Sequence, residues 1–168
     1  LYVGSINSRK NLLSIVQAIE MIPEENRLPL VIVGEGREYK KKVLDYISSP
    51  HLEKWCVFKG HVSTLADLQE LYRNARMFVY PSHYEGMGLP VIEAQLCGCP
   101  VITSDVSSLP EAAGEPAIKL PPTDVHALSQ AIDTLTSDDL LWTRLSKEGR
   151  QRCMTDFHPK KLAGDLVK

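Results

Sequence analysis

The sequence has little from which to build a disulfide scaffold, a membrane span or a nucleic-acid surface. Its four cysteines, Cys56, Cys97, Cys99 and Cys153, show neither the paired C-x-x-C spacing nor the density of a stapled fold, and read as reduced, mostly buried thiols of a cytosolic protein. Cys97-Gly98-Cys99 lacks a second Cys/His pair at a spacing that completes a tetrahedral site, so no metal is expected. No apolar run approaches the roughly 20 residues that cross a bilayer, and no signal-peptide pattern opens the chain. A formal net charge of −2 supplies no basic field for nucleic acid, so a phosphate ligand requires a local cationic site. The dinucleotide fingerprint G-x-G-x-x-G is absent, which argues against NAD. The acidic cluster that a receiver-type signalling domain carries after its first strand is absent as well.

What is present is a chain of 168 residues, 43% hydrophobic, long enough for one compact domain with a real core. Six short apolar runs alternate with amphipathic stretches: Leu1 to Gly4, Leu30 to Gly34, Cys56 to Gly60, Met77 to Pro81, Pro100 to Thr103 and Ala117 to Leu120. This pattern predicts an α/β fold, a Rossmann-like, doubly wound parallel sheet of about six strands with helices on both faces. The helices show a 3.6-residue period, with stripes at Leu12, Val16 and Ile19, at Leu65, Leu68 and Tyr72, and at Leu128, Ile132 and Leu135. Thr64 with Asp67 reads as a capping box, Asp124 and Ser137 as N-caps, and Pro159 as a break in the last helix. The chain opens inside an apolar run, which reads as a fragment cut at a domain boundary.

In a doubly wound sheet, ligands bind at the carboxyl ends of the strands where the strand order reverses, between the first and fourth strands. That rule selects the loops Gly4 to Asn11 and Ser82 to Gly88. Arg9 and Lys10 precede a helix, where the macrodipole disfavours positive charge by roughly 0.3–1 kcal/mol. A bound anion would remove that conflict, although solvated surface residues are the commoner fate of Lys and Arg. Glu85-Gly86-Met87-Gly88-Leu89-Pro90-Val91-Ile92-Glu93 leads from a glycine-punctuated loop into a helix start whose N–H groups suit phosphate. Carboxylates accept paired hydrogen bonds from vicinal hydroxyls, so Glu85 and Glu93 beside a phosphate cradle fit ribose, diphosphate and hexose in series. The bland alternative is that Glu85 merely favours the helix dipole and Glu93 is a solvated helix residue.

The same stretch, from Glu85 to Ala94, resembles the E-x7-E motif of the retaining group 1 (family 4) glycosyltransferases, in the form E-G-x-G-L-P-x-x-E-A. The resemblance extends through Tyr2-Val3-Gly4, Arg9-Lys10-Asn11-Leu12, Val31-Ile32-Val33-Gly34-Glu35-Gly36, Phe58-Lys59-Gly60-His61-Val62 and Gly98-Cys99-Pro100-Val101-Ile102, in order and spacing. It implies one half of a GT-B fold, with residues 1–168 as the nucleotide-sugar donor domain and an amino-terminal acceptor domain outside this chain. By position it implies that Arg9 and Lys10 hold the diphosphate, Glu85 the transferred sugar and Glu93 the ribose. Gly86, Met87, Gly88 and Leu89 would line the sugar and phosphate, and the loops at Gly4, Ser5, Gly34 and His61 the rest of the donor. Many relatives have Arg where Ser5 stands, which puts more of the cationic role on Arg9 and Lys10, and Phe where Met87 stands, which alters the sugar pocket.

The implied activity is transfer of a hexose, with retention, from a UDP- or GDP-linked sugar to a hydroxyl of a glycan or lipid-linked saccharide. No metal or other cofactor and no nucleic acid is expected. The implied location is cytoplasmic, with any peripheral contact to the membrane face coming from the other domain. A sugar-nucleotide epimerase of the same fold, or a non-catalytic nucleotide-sugar-binding module, are the competing readings.

Overall fold

The computed structural model describes residues 1–48 and 50–157. Six parallel strands, β1 (Tyr2–Val3), β2 (Leu30–Val33), β3 (Cys56–Gly60), β4 (Phe78–Tyr80), β5 (Val101–Ser104) and β6 (Ile118–Leu120), form two three-stranded sheets. Their orders are β1-β2-β3 and β4-β5-β6. The sheets meet edge to edge: the Val79 N–H donates to the Leu1 carbonyl at 3.0 Å and the Leu1 nitrogen to the Met77 carbonyl at 2.9 Å. Followed across that join, the strands run β3-β2-β1-β4-β5-β6, and the order reverses between β1 and β4 as the apolar pattern predicts.

Period-two alternation sorts the strand side chains onto two faces. Tyr2, Leu30, Ile32, Val79 and Ile102 pack with α1 (Leu12–Met21), α2 (Glu38–Ile47) and α7 (Val125–Ser137). Their neighbours Leu1, Val33, Phe78, Tyr80 and Val101 pack instead with α4 (Leu65–Asn74), α5 (Leu89–Leu96), α6 (Leu109–Ala113) and the end of α8 (Asp139–Asp156). Central β4 and β5 are buried along their whole length, whereas edge strand β3 alternates between half-buried and exposed. A short α3 (Pro50–Glu53) precedes β3.

Side-chain caps fix the starts of α4, α7 and α8. The Thr64 hydroxyl takes the Asp67 N–H at 3.1 Å and donates to the Asp67 carboxylate at 2.7 Å, and the Asp124 carboxylate caps α7 through the Ala127 N–H at 2.9 Å. Ser137 is not a cap: it ends α7, its hydroxyl turned back to the Asp133 carbonyl at 3.0 Å, and Asp138 caps α8 through the Leu141 N–H at 2.8 Å. Leu65 also departs from the expected stripe. As the first residue of α4 it projects past the sheet and is 68% exposed, leaving Leu68 and Tyr72 to make the contact. Pro159 lies outside the described residues.

Candidate functional site

The loops after β1 and β4 are knitted together at the carboxyl edge of the sheet. After β1 the chain makes a 3-10 turn, Ser8–Lys10, capped by the Asn7 carboxamide oxygen, which accepts the Lys10 N–H at 3.1 Å. The Arg9 carbonyl then accepts from the His83 N–H at 2.8 Å, with the Ser82 hydroxyl oxygen 3.1 Å away. On the other flank the Gly4 N–H donates to the Val33 carbonyl at 2.9 Å and the Gly34 N–H to the Gly60 carbonyl at 2.8 Å. Gly34 has φ +137°, and a Cβ there would lie 1.9 Å from the Gly4 carbonyl oxygen, so only glycine permits these backbones to approach.

The centre of this edge is the Glu85 carboxylate. Its Oε1 lies 2.8 Å from Arg9 Nη1, 3.2 Å from Lys10 Nζ, 2.9 Å from the Tyr80 hydroxyl and 2.9 Å from the Ser82 hydroxyl. Arg9 also donates to the Tyr84 carbonyl and Lys10 to the Tyr80 hydroxyl. The Lys10 ammonium sits 4.7 Å from the Tyr80 ring centroid. The loop after β5 holds the Glu85 backbone from the far side: Ser107 Oγ accepts its N–H at 3.0 Å and Ser108 Oγ donates to its carbonyl at 2.9 Å. Ser107 adopts a left-handed φ of +55° to do so, a conformation costly for a non-glycine residue.

These contacts set the electrostatics. Burial opposes the charge on Glu85, but hydrogen bonds from Arg9, Tyr80 and Ser82 and the Lys10 charge outweigh it and hold the carboxyl below its ordinary value. Burial, reinforced by Glu85, pushes the Tyr80 phenol far above its ordinary value, so it remains a hydroxyl. The conflict between Arg9, Lys10 and the following helix is thus answered inside the protein, by Glu85. The cations keep capacity for more. Lys10 uses two of its three donors here, and Arg9, with 43% of its side chain exposed, directs only Nη1 into the cluster.

Glu93 lies in different surroundings. Its Oε2 accepts from the Tyr72 hydroxyl at 3.2 Å, beside a cleft of about 90 Å³ between α4 and α5 lined also by Leu68, Gln69, Leu96 and Cys97. No hydrogen bond or ion pair among the described residues links it to the cluster around Glu85. Between the two glutamates, Gly88 takes a left-handed φ of +77° as the N-cap of α5, and an added Cβ would lie 2.9 Å from Ala112 Cβ. Pro90 falls in the first turn. Gly86 faces open space, and Met87 and Leu89 are more than half exposed.

Ser5 lies beside Gly4, its carbonyl accepting from the Tyr2 hydroxyl at 2.9 Å. His61 follows β3 in a groove with Lys59, Ser63 and Asp67, apart from the Glu85 cluster. An apolar cavity of about 350 Å³, lined by Leu1, Ile15, Ile19 and Met77 among others, opens at the amino ends of the strands, on the opposite edge. Cys99 and Cys153 are buried, Cys56 and Cys97 half-buried, and burial raises all four thiols, Cys56 to about 11 and Cys99 to about 12. Such thiols are poor nucleophiles.

Sequence reasoning missed Tyr80, Ser82, Ser107, Ser108 and Tyr72. Tyr80 carried a readable signal: a tyrosine closing an otherwise apolar central strand must find its hydroxyl a partner, and the strand's carboxyl end is where the charged loops begin. The serines carried none, because their roles depend on a tertiary approach of the loops after β4 and β5.

Comparison with known proteins identifies the family and the fold. The profile of the family described as glycosyl transferases group 1 matches residues 1–152. The chain is 42% identical over 142 residues to O-antigen chain mannosyltransferase B of Escherichia coli, an alignment covering 83% of this chain and 37% of that protein. The chain therefore spans well under half the length of that relative. In fold it is similar to Anabaena HepE, solved in complex with UDP, with a TM-score of 0.88 at 19% identity over 99% of this chain and 47% of that one. It is similar too to the C-terminal domain of a group 1 glycosyl transferase, LpcC of Francisella tularensis, with a TM-score of 0.83 at 24% identity over 93% of this chain and 84% of that one. The fold is one Rossmann-like half of the GT-B architecture. Sheet order, the paired loops at the strand-order reversal and the family profile converge, and the chain belongs to the group 1 glycosyltransferases.

Proposed function

We propose that this chain is the donor-binding domain of a retaining glycosyltransferase, and that it holds a nucleoside-diphosphate sugar at the carboxyl edge between β1 and β4. The observation that carries the reading is the convergence of Arg9 and Lys10 on the Glu85 carboxylate, at the strand-order reversal, with donors to spare. Arg9 and Lys10 hold the diphosphate, assisted by backbone N–H groups from Gly86 to Leu89 at the start of α5. Glu85 accepts hydroxyls of the transferred sugar and Glu93 those of the ribose, while the loops at Gly4, Ser5, Gly34 and His61 take the remainder of the donor. HepE, of the same fold, has been solved with UDP and with UDP-glucose.

In the intact enzyme the bond from the sugar C1 to the diphosphate oxygen breaks, and its electron pair leaves with the phosphate. A hydroxyl of a glycan or lipid-linked saccharide attacks C1 from the face the diphosphate vacates, and its proton passes to the departing phosphate oxygen. Arg9 and Lys10, held by protein contacts before the ligand arrives, stabilise the leaving charge without reorganisation, and the reading requires no metal. The acceptor site belongs to a second domain, which also carries any contact with the cytoplasmic membrane face. No helix among the described residues is long and apolar enough to cross a membrane.

The test is a ligand-observed NMR screen of this chain against UDP, GDP, ADP and their hexose conjugates. Saturation transfer to at least one nucleotide and its sugar is expected. Silence from all of them would leave the fold assignment standing and remove the donor-binding assignment.

A further inference from the structure

We infer that one buried aromatic column aims both glutamates, with Tyr80 as the positioning residue for Glu85 and Tyr72 as the positioning residue for Glu93. The inference rests on the donor-binding reading above and adds residues that the motif does not contain. Tyr72 is 1% exposed, and Phe78 and Tyr80 are fully buried. Phe78 stands edge-on to Tyr72, centroids 5.4 Å apart at 82°, and stacks on Tyr80 at 5.4 Å and 24°. The two ends of this column are the only polar atoms on its rings, and each meets a glutamate: Tyr80 Oη to Glu85 Oε1 at 2.9 Å, Tyr72 Oη to Glu93 Oε2 at 3.2 Å.

The direction of the bonds at Tyr80 follows from proton counting. The Lys10 ammonium is a donor only and the ionised Glu85 carboxylate an acceptor only, so the hydroxyl between them accepts from Lys10 and donates to Glu85. Tyr80 thereby fixes the cation assigned to the diphosphate and the carboxylate assigned to the sugar with one oxygen atom. Tyr72 does the simpler task of donating to Glu93. Rings packed in a core have little rotamer freedom, so the hydroxyls are held where β4 and α4 place them. Glu85 on a loop and Glu93 on a helix, which share no direct contact, are referenced through the column to one strand.

A merely structural tyrosine would let its hydroxyl take the nearest acceptor with no consequence for the site. Replacement by Phe separates the two cases, because it keeps the ring and removes only the oxygen. In the ligand-free chain with carboxyl carbons labelled, Tyr80→Phe is expected to move the Glu85 titration midpoint upward. Arg9 and Lys10 from the turn after β1, Tyr2 from β1 and Ser82 remain facing it. Tyr72→Phe is expected to shift the Glu93 carboxyl resonance and leave that of Glu85 in place. In calorimetry with a UDP- or GDP-linked hexose against uridine or guanosine, Tyr80→Phe should weaken the sugar nucleotide about 5-fold and leave the nucleoside unchanged. Tyr72→Phe should weaken both alike.

Carboxyl signals unmoved by either substitution would overturn the inference, as would a Tyr80→Phe loss shared equally by nucleoside and sugar nucleotide. If the wild-type chain binds no nucleotide, the donor-binding reading fails by itself. The Glu85 titration and the Glu93 carboxyl resonance, which need no ligand, then still decide whether the tyrosines aim the glutamates.

Discussion

Glu85 and Glu93 stand eight positions apart in one motif, yet the protein treats them differently. Four side chains from two segments converge on Glu85, and its backbone is held on both sides by Ser107 and Ser108. Glu93 receives a single hydroxyl and keeps most of its acceptor capacity at the edge of a small cleft. The first is organised in advance, where charge has to be met without delay. The second is left to be completed by a ligand. All four side-chain contacts to Glu85 fall on Oε1, which fixes the carboxylate while no hydrogen bond or ion pair among the described residues engages Oε2, so Glu85 can present that oxygen to a ligand from a rigid frame.

The comparison breaks most severely if the frame under Glu85 is removed. Gly34→Ala would force a Cβ to within 1.9 Å of the Gly4 carbonyl oxygen at φ +137°. Overpacking and backbone strain together predict a loss of roughly 3 kcal/mol or more, read as a lowered thermal midpoint; unchanged stability would show that the β1 and β2 loops are not so closely joined. Next in size is Glu93→Ala, expected to weaken nucleoside and nucleotide binding alike, about 10- to 100-fold for a lost charge-assisted bond, with little effect on stability. A stability loss without a binding loss would reverse the roles given to the two glutamates. Arg9→Ala should weaken nucleoside diphosphates by less than Lys10→Ala, because more of its side chain is in solvent, 43% against 11%.

The smallest effect is acid dependence. Glu85 has its folded pKa held below the ordinary value, so its ion pairs contribute stability fully present above the unfolded value, about 4.3, and lost as pH falls through the folded one. Denaturant titrations should show the wild-type chain losing stability below about pH 4 more steeply than Glu85→Gln. Parallel curves would mean that the cluster does not hold the charge.

Much of this was legible in the sequence. The six strands followed from short apolar runs, because central strands such as Phe78–Tyr80 and Val101–Ser104 are buried throughout and tolerate few polar residues. Arg9, Lys10 and Glu85 were brought together by topology alone, since the reversal of strand order must face the loops after β1 and β4 toward each other. What stayed hidden was which anion answers Arg9 and Lys10. The Glu85 side chain turns to them and not to the α5 dipole, a choice made by Tyr80 and Ser82 across tertiary distances. Leu65 and Ser137 were misread for a local reason: at the first and last turns of a helix, one residue of offset decides whether a side chain faces the core, solvent or its own backbone.

The most direct test of the site is calorimetric titration of a nucleoside diphosphate and of its nucleoside into the wild-type chain and Lys10→Ala. The diphosphate should bind the wild type more tightly than the nucleoside does, and Lys10→Ala should remove most of that difference while leaving the nucleoside affinity in place. Equal losses for both ligands, or none, would contradict the assignment of Lys10 to the phosphates and with it the central role given to the cluster around Glu85.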